Sequence, residues 1–383
     1  MTNADASPTW EDDEPVEVQV LDVIPAEERS DRDASDPDPA RVSYTTTDFD
    51  VDGLIRRLQR KDIIIPTFGE DDDEEPALET ARFQRPLVWT KTQMDRFIES
   101  LLLGYPIPGI FLVQQSDRRY LVLDGQQRLK TLRAFREGIV NKREFSLQAV
   151  ADQFKDLTFD KLTEEQRRKF ENTFLQATIV QALPQEGSLD AIYQVFERLN
   201  AGGTQLAPHE IRVALYAGEF VNWITHLASS QEWRSLYGTV PAHLRDQELI
   251  MRIVALDTSP NSYKRPLKKF LNDFCALHRD NQGIDVDDVM ARFLRAASVL
   301  LEVSGPESLR PSGNAVNAAW TEALFVGLMS RLKVSDIEPE EVLVALGKLM
   351  VDSEMIFATT RATSDDESVK RRISISQSAF SRK

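Results

Sequence analysis

The stretch YLVLDGQQRLKTLRAF, at positions 120–135, constrains the fold more than any other part of the chain. An apolar run typical of a buried strand ends at Asp124, and a helical pattern of apolar residues starts directly after Gly125. Glycine permits a tight turn that a side chain would obstruct. The sequence therefore predicts a strand, a sharp turn and a helix that begins with two glutamines and an arginine.

This turn allows two interpretations. Free N–H groups and the positive end of the helix dipole favour a bound phosphate at a helix N-terminus. Arg128 would then offer its guanidinium to the anion, Asp124 would hold Mg²⁺ or orient a water, and Gln126 and Gln127 would position a water or contact a base. The residues equally allow a structural role, in which Asp124 caps the helix and pairs with Arg128.

Two other segments could contact the same ligand. In ARFQRPLVWT, Gln84 and Arg85 precede a proline that restrains the backbone to an extended shape, while Trp89 suits either base stacking or, more often, the core. In FERLNAGGTQLAPHEIR, Asn200 and Gly203 lie in a loop whose backbone can approach a ligand closely. That loop could equally be a plain turn between two helices.

The HEIR segment after this loop falls in the first turns of the next predicted helix. It carries Glu210 and Arg212, and His209 between the proline and Glu210 is predicted to lie at the surface. The chain has no G-x-x-x-x-G-K-[ST] loop, which excludes a P-loop nucleotidase, and its four histidines show no zinc spacing. Because no His-Asn-His pattern is present either, nuclease activity is expected to need a partner chain.

The acidity of the chain is local. Its net charge is -16, but residues 1–42 hold 13 acids and 3 bases, and EDDDEE at 70–75 adds 6 acids. The remaining chain has 43 acids and 43 bases of the 62 and 46 in the whole. A basic groove that binds DNA is therefore compatible with the composition. The acidic segment could alternatively mimic DNA or bind a basic protein, as in a toxin-like or repressor-like partner.

The pattern along the chain predicts an α+β protein with a small mixed α/β unit followed by a mainly helical C-terminal half. The predicted divisions are an acidic disordered tail, a domain that contains the D-G-Q-Q-R turn, a helical domain and a basic tail rich in Ser and Thr, at 1–42, 43–220, 221–355 and 356–383. No apolar run approaches the length of a membrane helix, and the start of the sequence is unlike a signal peptide. A cytoplasmic location is therefore expected.

Three ordered motifs resemble the ParB/sulfiredoxin-like domains at the N-terminus of GmrSD-type modification-dependent restriction proteins. The D-G-Q-Q-R hallmark is complete at 124–128, and Q-R-x-x-x-W is matched by Gln84, Arg85 and Trp89. The third pattern, F-x-x-[IL]-N-x-x-G-x-x-L-x-x-x-E-[IL]-R, is matched by Phe196, Leu199, Asn200, Gly203, Leu206, Glu210, Ile211 and Arg212.

The resemblance implies a nucleotide-phosphate pocket at the D-G-Q-Q-R turn and hydrolysis of a nucleoside triphosphate with Mg²⁺. Arg85 and Arg212 would reach the phosphates, and the loop from Asn200 to Gly203 would close the pocket. It also implies a role in restriction or anti-phage defence, with DNA and a separate nuclease or other subunit as partners, since no nuclease domain follows. Sulfiredoxin chemistry is set aside because Cys275, the single cysteine, is far from the turn. The alternative is a regulator that binds DNA or a nucleotide without turnover.

Overall fold

A computed structural model describes residues 42–66, 89–115, 117–182, 188–199 and 207–382. The described residues form two compact units, the first from Ser43 to Gln181 and the second from Ala182 onward. The predicted boundary at residue 220 stays a prediction, and the division by contacts falls earlier in the chain, between Gln181 and Ala182. The helix that starts at Ser188 belongs to the second unit, where the Tyr193 hydroxyl donates to the carbonyl of Pro208 at 3.2 Å.

The first unit contains a five-stranded mixed sheet in the order β1-β7-β3-β4-β2. Strand β3 is antiparallel to β4 and parallel to β7, and β2 is parallel to β4. A separate hairpin is formed by β5 and β6. The strands are β1 (Val42–Asp50), β2 (Ile63–Ile64), β3 (Ile110–Gln114), β4 (Tyr120–Asp124), β5 (Ile139–Val140), β6 (Arg143–Glu144) and β7 (Phe174–Ala182).

Four helices accompany the sheet: α1 (Val51–Gln59), α2 (Lys91–Leu103), α3 (Gln126–Glu137) and α4 (Glu164–Glu171). Helix α2 shows how local sequence sets its limits. Thr90 and Gln93 form a capping box at its start, and Gly104 ends it with φ 79°. Its buried apolar residues pack with those of α1, α3 and the strands into one core, in which Phe135 meets three other phenylalanine rings edge-on.

The second unit is helical in its described part. Its helices are α5 (Ser188–Leu199), α6 (Pro208–Leu215), α7 (Glu219–Ala228), α8 (Gln231–Tyr237), α9 (Arg245–Thr258), α10 (Leu267–Leu277), α11 (Val286–Ser304), α12 (Ala318–Leu332), α13 (Pro339–Leu349), α14 (Ser353–Thr360) and α15 (Asp366–Phe380). Glu322 of α12 forms buried ion pairs with Arg252 of α9 and Arg372 of α15, so three helices meet at one carboxylate. The α+β class and the helical C-terminal half are confirmed.

The segment 356–383 is not a tail, which corrects the prediction for this part of the chain. Its described residues complete α14 and form α15, which packs along α12. The polar sequence still has a buried face, on which Ser376 and Phe380 lie against α12 at Gly327, a residue with no side chain to obstruct them. The predicted acidic tail lies outside the described residues except for Val42, which begins β1. No helix in the described residues is long and apolar enough to cross a membrane.

Candidate functional site

The turn between β4 and α3 requires a glycine for two reasons. Gly125 is the N-cap residue of α3 and has φ 97°, a left-handed conformation that L side chains rarely adopt. A Cβ atom at this position would also lie 3.0 Å from Cβ of Ile110 and closer still to its Cγ2 atom. The predicted strand, tight turn and helix are confirmed, and the backbone enters α3 through a space that excludes a side chain.

Asp124 and Arg128 form an ion pair across this turn. The Nη2 atom of Arg128 donates to Oδ2 of Asp124 at 2.7 Å, and its Nη1 atom donates to the carbonyl of Pro108 at 2.9 Å. The carboxylate is 49% exposed, whereas the arginine side chain is 11% exposed. Both terminal nitrogens of Arg128 therefore donate hydrogen bonds to protein acceptors. The arginine holds the carboxylate of Asp124 at the surface.

The first turn of α3 lacks the side-chain cap that the structural interpretation required. The capping position is Gly125, which has no side chain, and no side-chain cap is formed there by the part of the chain that the structure describes. The structural role that the sequence also allowed is thus observed only in part. Asp124 pairs with Arg128, but it does not cap α3. The N-terminal N–H groups of α3 keep the polarity that suits an anion.

The two glutamines of the motif begin α3 and are both partly buried. The main-chain carbonyl of Gln127 accepts from the Thr131 hydroxyl at 2.7 Å. Its side-chain Oε1 atom is buried and has no hydrogen-bond donor within the described part of the chain. A buried amide oxygen without a donor costs free energy, so a ligand or water that supplied one would be stabilised there.

Four predicted site residues lie outside the described residues, namely Gln84, Arg85, Asn200 and Gly203. Their roles stay predictions. Trp89 is described, and its ring packs edge-on against Phe97 with centroids 5.3 Å apart and lies against the core of the first unit. The structure thus gives Trp89 the packing role that its sequence context favoured.

Arg212 lies in α6 of the second unit and is fully buried. Its Nε atom donates to Oδ1 of Asn272 at 2.9 Å, and its Nη1 atom lies 3.3 Å from Nδ1 of His209 and 3.9 Å from Glu248. These contacts tie α6 to α9 and α10. A contact between Arg212 and a phosphate stays a prediction that no described contact supports.

The predicted surface position of His209 is wrong, because its ring is buried beside Arg212. Burial, together with the Arg212 charge, holds the pKa of His209 well below its usual value, so the ring is neutral. Glu210 likewise has a structural contact, since its carboxylate accepts from the N–H of Ala207 at 2.6 Å at the start of α6. The HEIR segment therefore holds helices of the second unit together.

Sequence reasoning missed the loop at 104–109, whose Pro108 carbonyl accepts from Arg128. The signal was available, since GYPIPG combines two glycines with two prolines and such a loop has few conformations. No group of three or more His, Cys, Asp or Glu side chains in the described ranges could hold a metal ion. The role of Asp124 as one ligand of a Mg²⁺ ion, with phosphate and water oxygens as the others, therefore stays a prediction.

The fold and the site define an α+β protein in which a D-G-Q-Q-R turn links a mixed sheet to a helix and a helical unit follows. Residues 66–217 match the family model described as the GmrSD restriction endonuclease, N-terminal domain, so this part of the chain is similar to that domain. No curated protein and no solved structure matches the chain.

Proposed function

We propose that the turn from Asp124 to Arg128 binds and hydrolyses a nucleoside triphosphate with Mg²⁺, and that the chain is a regulatory or sensor component of a DNA-targeting restriction or defence system. The second part is supported by the domain match, since the family description names a restriction endonuclease. The first part depends chiefly on one observation. The start of α3 has no side-chain cap, while a half-exposed carboxylate is held beside it.

Phosphate oxygens would accept hydrogen bonds from the first N–H groups of α3. Gly125 lets the ligand approach the backbone because it has no side chain, and the positive end of the helix dipole favours the phosphate charge. The glutamine amides lie next to these N–H groups. Gln126 could position the attacking water, and a donor from the ligand or a water would satisfy the buried Oε1 of Gln127.

Asp124 would face the phosphates with its second carboxylate oxygen, because Oδ2 is engaged by Arg128. Bound Mg²⁺ would offset phosphate charge and take one ligand from Asp124. Arg128 acts chiefly by positioning, since it fixes the carboxylate and the Pro108 carbonyl. The roles that sequence suggested for Arg85, Arg212 and the loop from Asn200 to Gly203 remain part of this proposal.

In the proposed reaction a water oxygen forms a bond to the γ-phosphorus, and the bond from that phosphorus to the β,γ-bridging oxygen breaks. The nucleoside diphosphate leaves with the electron pair, and the proton of the water passes to solvent or to a phosphate oxygen. Hydrolysis would then change the state of the helical unit and so control DNA binding or a nuclease on another chain.

Phosphate release from each common nucleoside triphosphate tests the proposal. We expect Mg²⁺-dependent release by the wild-type chain and a loss of more than about tenfold in Asp124→Asn, because a neutral amide is a weaker Mg²⁺ ligand than a carboxylate. Asp117→Asn is the matched control, because Asp117 pairs with Arg119 at 2.6 Å at the other end of β4. That variant is expected to keep the wild-type rate.

Three outcomes separate the candidates. Full activity in Asp124→Asn with an unchanged melting temperature would refute the assigned role of the carboxylate. Nucleotide binding without phosphate release would favour the non-enzymatic regulator, which is consistent with the single carboxylate at the turn. Absence of nucleotide binding to the wild-type chain would overturn both hydrolysis and a nucleotide-binding regulator, and would leave a regulator that binds DNA.

A further inference from the structure

Two aromatic side chains are exposed at the end of the sheet that carries the D-G-Q-Q-R turn. Tyr105 is 60% exposed and Phe174 is 66% exposed. A single exposed aromatic residue is common in soluble proteins and needs no explanation. These two differ from that case because a lysine side chain lies beside the residue that precedes Tyr105, and the helix that carries this lysine ends shortly before Phe174.

Lys169 has contacts with the chain neighbours of both aromatic residues. A Cβ atom at Gly104 would lie 3.3 Å from Cε and 3.7 Å from Nζ of Lys169, so the lysine passes over the residue next to Tyr105. The Thr173 hydroxyl donates to the main-chain carbonyl of Lys169 at 2.7 Å, and Phe174 follows directly as the first residue of β7. Within the described ranges, no ion pair involves the side chain of Lys169.

The backbone that presents Tyr105 is held on both sides. The N–H of Tyr105 donates to the carbonyl of Ser100 at 2.9 Å, where α2 ends, and the two prolines that follow restrain the loop. At the far end of the loop, a Cβ atom at Gly109 would lie 2.7 Å from the carbonyl oxygen of Gln176. The loop therefore lies directly beside the start of β7.

The same loop adjoins the candidate nucleotide site. Strand β3 leaves the loop and pairs Phe111 with Asp124, and the Pro108 carbonyl accepts from Arg128 at 2.9 Å. Strand β7 runs parallel to β3 from the same end, with Ala177 opposite Ile110. The exposed rings, the lysine and the D-G-Q-Q-R turn thus share one end of the sheet.

We propose that the surface formed by Tyr105, Lys169 and Phe174 binds an unpaired nucleic acid strand, with bases stacked on the two rings and a backbone phosphate at the lysine. Surfaces that bind single strands combine these elements, because every base has a face that can stack on an aromatic ring. The inference rests on the proposed function only in taking nucleic acid as the target. It does not require nucleotide hydrolysis.

Fluorescence anisotropy of the full chain with labelled oligomers tests this surface. The probes are oligo-dT and oligo-U of about 12 nucleotides and a duplex of the same length, at low salt. We expect Tyr105→Ala and Phe174→Ala each to weaken binding of the single strand about tenfold. Lys169→Ala is expected to reduce the slope of log affinity against log salt by about 0.7, the effect of one phosphate contact.

Tyr44→Ala is the matched control, since Tyr44 is 71% exposed in the same sheet. The N–H of Val51 donates to the carbonyl of Thr173, so the end of β1 lies beside the start of β7. Tyr44 lies seven residues earlier along the chain, about 20 Å away at roughly 3.3 Å per residue. Its substitution is expected to leave strand affinity unchanged.

Several results would overturn the proposal: no binding of either oligomer, tighter binding of the duplex, or equal affinity of wild type and both aromatic variants. A preference between oligo-dT and oligo-U would identify the source of the strand. Asp124→Asn should bind the strand like wild type. Strand binding without any phosphate release would therefore refute hydrolysis while supporting this surface, and the reverse pattern would refute the surface alone.

Discussion

Replacing Gly125 with alanine is expected to destabilise the start of α3 through two separate effects. The left-handed conformation at φ 97° costs about 1–2 kcal/mol for a residue with a Cβ atom. The new methyl group would also overlap Ile110, which is 1% exposed and cannot move away into solvent. Overpacking of this kind costs about 1–3 kcal/mol, so the total loss is about 2–5 kcal/mol.

Gly138 provides a matched control at the other end of the same helix. It ends α3 with φ 75°, and a Cβ atom there would have no atom within 4 Å. Gly138→Ala therefore carries the conformational cost without the overlap. The difference between the two variants, about 1–3 kcal/mol, measures the steric contact with Ile110.

Hydrogen–deuterium exchange read by mass spectrometry suits this comparison, because it reports the local opening free energy of peptides that cover β4 and α3. A difference of about 1–3 kcal/mol corresponds to exchange about 5- to 150-fold faster in Gly125→Ala than in Gly138→Ala. Ile110→Ala should reduce this difference when combined with Gly125→Ala. Equal exchange in the two glycine variants would refute the steric reasoning.

Three other substitutions have direct structural expectations. Asp95→Ala removes a fully buried carboxylate that pairs with Lys91 and accepts two main-chain N–H groups, so urea unfolding should show a loss of about 3–5 kcal/mol. Glu322→Gln removes the negative charge that two buried arginines share. Calorimetry should show a comparable loss in the free energy of unfolding. For His209, the lowered pKa means that the unfolded chain binds more protons below about pH 6.5, so stability falls as the pH falls. Wild type should lose more stability than His209→Gln between pH 7.5 and 5, and parallel pH profiles would contradict this assignment.

Local signals predicted most of the first unit. The apolar spacing in α2 and the glycine that ends it are properties of neighbouring residues, and they depend little on the rest of the fold. The same holds for the strand, turn and helix around Gly125, because a glycine between an apolar run and a helical pattern leaves few alternatives. The D-G-Q-Q-R turn was therefore found from sequence with the correct backbone conformation.

Longer-range packing explains what could not be predicted. Helix α15 has a polar sequence, and its burial depends on Gly327 and Glu322 of α12, which lie about 50 residues earlier in the chain. His209 and Arg212 are polar residues that a local pattern places at the surface, yet each is stabilised by partners from other helices. Composition alone carries no information about such partners.

The two described arginines of the motifs differ in how well packing explains them. Arg212 is fully buried and joins helices of the second unit, so its place in the pattern follows from the stability of that unit. Arg128 pairs with the half-exposed carboxylate of Asp124, and exposed pairs of this kind contribute only about 0–1 kcal/mol. Since Asp124 does not cap α3 either, the stability of the fold gives little reason for a carboxylate at this position. A ligand at the start of α3 would account for both the uncapped helix and the carboxylate held beside it.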